Sequence, residues 1–152
     1  MSTSSLQLDA YFRKEPLYGG CWSQDELEDK ETRGFYILNL QPSGEGNGSH
    51  WVLAVFQPIT PVPVYIDPYG VSPPPAIERF LRRGKKGHLA IYSKLQYQAL
   101  ESNNCGYYCV EAADELLDAM KRKDKNSLDN FDDDLTPYPS KANEKLVRRV
   151  KL

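Results

Sequence analysis

The chain has 152 residues, the size of one domain and enough to bury a real core. Apolar residues make up 40% and charged residues 26%, an ordinary balance for a soluble protein, and no apolar run approaches the length of a membrane span. A net charge of −2 excludes a global pull toward nucleic acid, and three cysteines without scaffold-like spacing point to a reducing compartment.

The N-terminus, Met1-Ser2-Thr3-Ser4-Ser5, has no apolar core of a signal peptide, and Ser2 stands where N-myristoylation needs glycine. Apolar positions at Leu6, Leu8, Tyr11 and Phe12 predict a short first helix. Tyr18-Gly19-Gly20-Cys21-Trp22 reads as a turn, and Ser23 with Glu26 as a capping box opening a second helix. Gly34 to Leu40 reads as a strand, and Pro42 to Ser49 as a glycine-rich loop. His50 to Phe56 is nearly all apolar, which predicts a central strand buried on both faces.

Pro58 to Pro63 is a proline-punctuated turn before a third strand, Val64-Tyr65-Ile66, which ends at Asp67-Pro68-Tyr69-Gly70. Pro73 to Pro75 start a short helix through Ile77, Phe80 and Leu81, because proline is tolerated in a first turn. A fourth strand is expected at Leu89 to Tyr92, continuing irregularly through Leu95 to Ala99. A long helix follows to about Lys123, with Ala112, Ala113, Leu116, Leu117 and Met120 on one face. An acidic stretch at Asp129 to Asp134 precedes a final basic helix, Lys141 to Val150. With no repeat, low-complexity tract or dividing linker, residues 1–152 are expected to form a single α+β domain, a central mixed sheet packed against helices.

Three places carry chemistry. Ser102, Asn103 and Asn104 are N-cap candidates, so Cys105 starts the long helix. Unpaired N–H groups and the macrodipole favour an anion there, and the thiolate is the nucleophilic form of cysteine. A buried structural cysteine is an equally good reading of this stretch alone. Only two histidines exist, and His88 follows the basic loop Arg82 to Gly87, where positive charge disfavours the imidazolium.

His50 begins the strongest strand and Asp67 ends the next. If these strands pair antiparallel, the two residues become neighbours at one end of the sheet, and the carboxylate can hold one ring nitrogen while the other faces a nucleophile. Asp-Pro-Tyr-Gly is also a good turn sequence, and a strand-opening histidine is often just a polar rim residue. No metal is expected, because the only close ligand pair is Cys105-x-x-x-Cys109.

Gly48-Ser49-His50-Trp51-Val52, then Tyr65-Ile66-Asp67-Pro68-Tyr69-Gly70, then Gln98, then Asn104-Cys105-Gly106-Tyr107-Tyr108-Cys109 together resemble the adenovirus endopeptidase (adenain) group. The resemblance to the SUMO-protein proteases of the same clan is more distant. The separations, seventeen residues from His50 to Asp67 and seven from Gln98 to Cys105, are similar to adenain as well. The likeness covers His50 to about Val110. It implies an adenain-like cysteine proteinase fold with the nucleophile at the N-terminus of a core helix.

It further implies that Cys105 attacks a scissile carbonyl, His50 pairs with it, Asp67 orients His50, and Gln98 with the Cys105 backbone N–H stabilises the oxyanion. Gly106 would allow close approach at the helix start, and Trp51 would cover the triad, line its approach or simply pack in the core. The implied activity is cleavage of viral capsid or core precursors at Gly-containing sites during virion maturation, inside the host cell and the virion. The other readings are a protease for ubiquitin-like modifiers, an acetyltransferase on the same triad, and a binding module that kept the fold.

No cofactor is expected. Adenain is activated by a peptide and by DNA. The peptide effect does not transfer, because the C-terminal residues do not align. DNA contact would fall on Arg82, Arg83, Lys85 and Lys86, on Lys121, Arg122, Lys123 and Lys125, or on Arg148, Arg149 and Lys151.

Overall fold

The computed structural model describes residues 3–41, 50–84, 90–93, 104–122 and 152. Ser4 caps α1 (Ser5–Tyr11) by a full capping box with Gln7. This helix drops Leu8, and Phe12 just beyond it, into the core, while Leu6 stays exposed.

Tyr18–Trp22, expected as a turn, belongs to β1 (Tyr18–Ser23), which pairs parallel with β2 (Phe35–Asn39). The pairing register slips between Tyr18 and Cys21, and Gly20 has φ +108. The Gly19-Gly20 pair therefore bends a strand instead of reversing the chain. A Cβ on Gly19 would lie 2.3 Å from the Tyr36 ring, so the glycine is needed for packing. The helix expected from Ser23 does not form. Glu26 does accept from the Ser23 N–H at 2.9 Å, but the segment is a turn with Leu27 as its buried apolar anchor. One such anchor cannot drive a helical face into the core.

β3 (Trp51–Val55) is buried along its whole length and lies at the centre of the sheet, in the order β1-β2-β3-β4-β5. It pairs antiparallel with β2 and with β4 (Val64–Ile66). α2 (Pro75–Gly84) then crosses over to β5 (Ile91–Tyr92), which is parallel to β4. α3 (Cys105–Arg122) completes the described elements.

Period-two alternation sorts the strands onto two cores. Phe35, Ile37, Trp51, Leu53, Val55, Val64 and Ile66 join Leu8 and the buried side of α3, including Ala112, Ala113, Leu116 and Leu117. Tyr36, Leu38, Val52, Ala54 and Tyr65 meet Ile77, Phe80 and Leu81 of α2 on the other face. This explains why the 50–56 run reads as apolar throughout: a strand covered by helices on both faces has no polar side to show. The loop at 42–49, His88, the 95–99 segment, Gln98, the acidic stretch and the basic helix at 141–150 lie outside the described residues.

Gly34 hinges β2 onto the β1 approach. Its φ is +74, and a Cβ there would lie 2.0 Å from the Leu17 carbonyl oxygen. The backbone cannot swing away, because the Gly34 N–H donates to Gln57 O at 2.9 Å and the Gly34 carbonyl accepts from Phe56 N at 2.7 Å. Gly34→Ala is expected to destabilise the protein by roughly 2–4 kcal/mol. In urea unfolding this appears as a lower midpoint with unchanged slope. A midpoint equal to the parent's would contradict the collision.

Candidate functional site

The site forms where β3 starts, β4 ends and α3 begins. Leu53 pairs with Ile66 in the antiparallel β3–β4 ladder, so His50, just before β3, and Asp67, just after β4, meet at one end of the sheet. His50 Nε2 lies 2.6 Å from Asp67 Oδ1, with both side chains almost fully buried. The Asp67 carboxylate is set by its own turn: Oδ1 also accepts the Tyr69 N–H at 2.8 Å, and Gly70 N–H donates to Asp67 O at 2.7 Å. Asp at the first turn position, Pro at the second and Gly at the fourth is the preferred chemistry of a type I turn. Asp67 is thus a turn-former and a histidine partner at once.

Asn104 stands at the N-cap of α3, its carbonyl accepting from Tyr108 N at 3.1 Å. That makes Cys105 the first helical residue. Cys105 is 4% exposed, and its Sγ accepts the Trp51 backbone N–H at 3.4 Å. The strand that presents His50 therefore also touches the sulfur.

Burial of the His50 ring disfavours its charge. Hydrogen bonding and negative charge from Asp67, and from Cys105 on the other side, overcome this and raise its pKa from 6.5 to about 9. Nδ1 is buried and, among the described residues, has no hydrogen-bond partner at normal geometry. Cys105 thus acts on the ring from beside it, although no Nδ1–Sγ contact meets ordinary hydrogen-bond geometry. The Nε2–Asp67 bond leaves Nδ1 as the ring nitrogen that Asp67 does not hold.

Trp51 is buried in the first core, and its indole N–H donates to Thr3 O at 2.9 Å. Gly106 is also buried, and a Cβ there would come within 2.7 Å of the Thr3 side chain. The segment ahead of α1 therefore packs against both residues, a contact with no sequence signal. Cys109 is fully buried one turn beyond Cys105, and burial together with neighbouring negative groups pushes its thiol well above the ordinary value. Cys21 is likewise pushed up to about 12, mainly by burial, despite the lowering effect of its contact with the Tyr18 hydroxyl.

This architecture can be set beside known ones. No protein-family model matches the chain, and no curated protein matches its sequence. Among solved structures, a crystal structure of the ASFV pS273R protease superposes with a TM-score of 0.51 at 15% identity, over 94% of this chain and 63% of that one. The fold is shared with the ASFV pS273R protease. The selenomethionine crystal structure of the same protease superposes over 64% of this chain and 44% of that one, at 19% identity and a TM-score of 0.40. The chain thus spans less than two thirds of the pS273R chains it matches. The likeness covers the mixed five-stranded sheet with its helices, and Cys105 starts α3 within it.

The described residues contain no group of three or more His, Cys, Asp or Glu side chains placed to hold a metal ion. No described helix is long and apolar enough to cross a membrane. Several basic residues considered for DNA are engaged within the chain. Arg83 donates to the carbonyls of Leu27, Glu28 and Lys30, Arg82 pairs with Glu78, and Lys121 lies 3.9 Å from Glu15.

Proposed function

We propose that this protein is a cysteine endopeptidase that cleaves viral capsid or core precursors at Gly-containing sites, acting inside the host cell and the virion. The observation that carries the reading is the buried His50–Asp67 bond, with Nδ1 unpartnered among the described residues and Cys105 acting on the ring from the start of α3. The fold shared with a viral protease supports it, as does the His-Trp, Asp-Pro-Tyr-Gly, Gln and Cys-Gly order of the sequence.

In this scheme the imidazolium of His50 faces the Cys105 thiolate. The sulfur attacks the scissile carbonyl, and His50 Nδ1 gives its proton to the leaving amine. Water, deprotonated by the same nitrogen, then hydrolyses the acyl-enzyme. Asp67 holds the ring in the tautomer and orientation that leave Nδ1 free. The Cys105 backbone N–H and the Gln98 amide receive the oxyanion. Every group belongs to the chain, so the scheme calls for neither metal nor cofactor.

The test is incubation of capsid precursor with the protein, followed by mass spectrometry of the fragments and of Cys105 after a thiol-directed inactivator. Fragments that vanish when Cys105 is labelled are expected. Intact precursor together with cleavage of a ubiquitin-like conjugate would move the substrate class. Intact substrates of both kinds would overturn the protease reading.

Gln98 gives a finer test. Gln98→Ala is expected to lower kcat by about 10²–10³ with little change in KM, because its contact forms mainly in the transition state. Alkylation of Cys105 develops no oxyanion and should stay fast. If Gln96→Ala lost turnover and Gln98→Ala did not, the oxyanion role would belong to Gln96.

A further inference from the structure

One aromatic side chain at the site has no part in the scheme above. The Tyr69 ring lies flat on the His50 imidazole, with centroids 4.4 Å apart and planes 15° apart. The same residue's backbone N–H donates to Asp67 Oδ1 at 2.8 Å, on the oxygen that binds His50 Nε2 at 2.6 Å. One residue therefore grips both halves of the pair, the carboxylate through its main chain and the imidazole through its ring face.

We infer that Tyr69 is a positioning residue for the His50 base, and this inference rests on the protease reading. Asp67 and Tyr69 act on His50 from the turn after β4, and Cys105 acts on it from α3. Asp67 restrains the ring only along the Nε2 axis, leaving rotation about that bond open. A flat aromatic face removes that freedom and keeps Nδ1 turned toward Cys105. A ring's negative π-face also favours a cation stacked on it. The turn explains how one residue does both: a carboxylate at the first turn position takes the N–H two residues on, which sets the third residue's side chain beside its own partner.

The measurement is the His50 titration by NMR, assigned against the chain's one other histidine with His88→Asn, beside steady-state cleavage. Tyr69→Ala keeps the backbone N–H bond to Asp67 and removes the ring. Its His50 midpoint is expected to fall by about half a unit to one and a half units. Its kcat is expected to fall about tenfold or more with KM little changed, as a misdirected base predicts. Tyr69→Phe keeps the stack and should restore both. An unshifted midpoint and unchanged kcat in Tyr69→Ala would overturn the role, and so would a Tyr69→Phe variant that behaves like Tyr69→Ala. If the midpoint falls as expected in a protein that cleaves nothing, the Tyr69–His50 pairing stands and the protease reading falls.

Discussion

Replacing Cys105 with alanine is expected to remove activity by about five to six orders of magnitude, and replacing His50 should do the same. The double variant should be no worse than either single one, because in the proposed scheme nucleophile and base act on one proton and neither works without the other. Additive losses would mean that the two act in separate steps. The fold should survive the Cys105→Ala change, since it removes one sulfur at the rim of the core and an accepted N–H bond of 3.4 Å. Cys109→Ala should keep most activity, because that thiol is fully buried and strongly disfavoured as an anion. A dead Cys109→Ala beside an active Cys105→Ala would reverse the assignment.

Asp67→Asn should lower kcat by about four orders of magnitude while keeping the side chain's shape. The amide can still fill the turn, but it carries no charge to hold His50 protonated and can present an N–H where an acceptor is needed. The pH dependence gives a second readout. The His50 pKa is raised from 6.5 to about 9, so the bond's contribution to stability is fully present below 6.5 and is lost as pH rises through 9. Parent stability should therefore decline across that window, with an alkaline limb of kcat/KM near its upper end. In Asp67→Asn both features should move toward lower pH. An unmoved alkaline limb would assign it to a group other than His50.

The sequence by itself determined the elements whose signals are periodic. The 50–56 strand, the helix opened by Pro73 to Pro75 and the long helix from Cys105 all form where hydrophobic spacing puts them, because one continuous apolar face has one way to be buried. The meeting of His50 and Asp67 was legible too. Two consecutive strands with a short connection pair antiparallel, which returns the end of one to the start of the other.

The tertiary structure decided what local chemistry leaves ambiguous. Gly19-Gly20 serves a turn or a bulged strand equally well, and the presence of β2 and the Tyr36 ring selects the strand. Ser23 and Glu26 make a capping contact in a turn as readily as at a helix start, and only the lack of an apolar face after Leu27 rules the helix out. The Thr3 contact with Trp51 and Gly106, and the Tyr69 stack on His50, have no local signature. The Thr3 contacts join residues about fifty and a hundred positions apart, which only the assembled sheet brings together, and the stack needs the turn after β4 and the start of β3 to be side by side as well as the local turn.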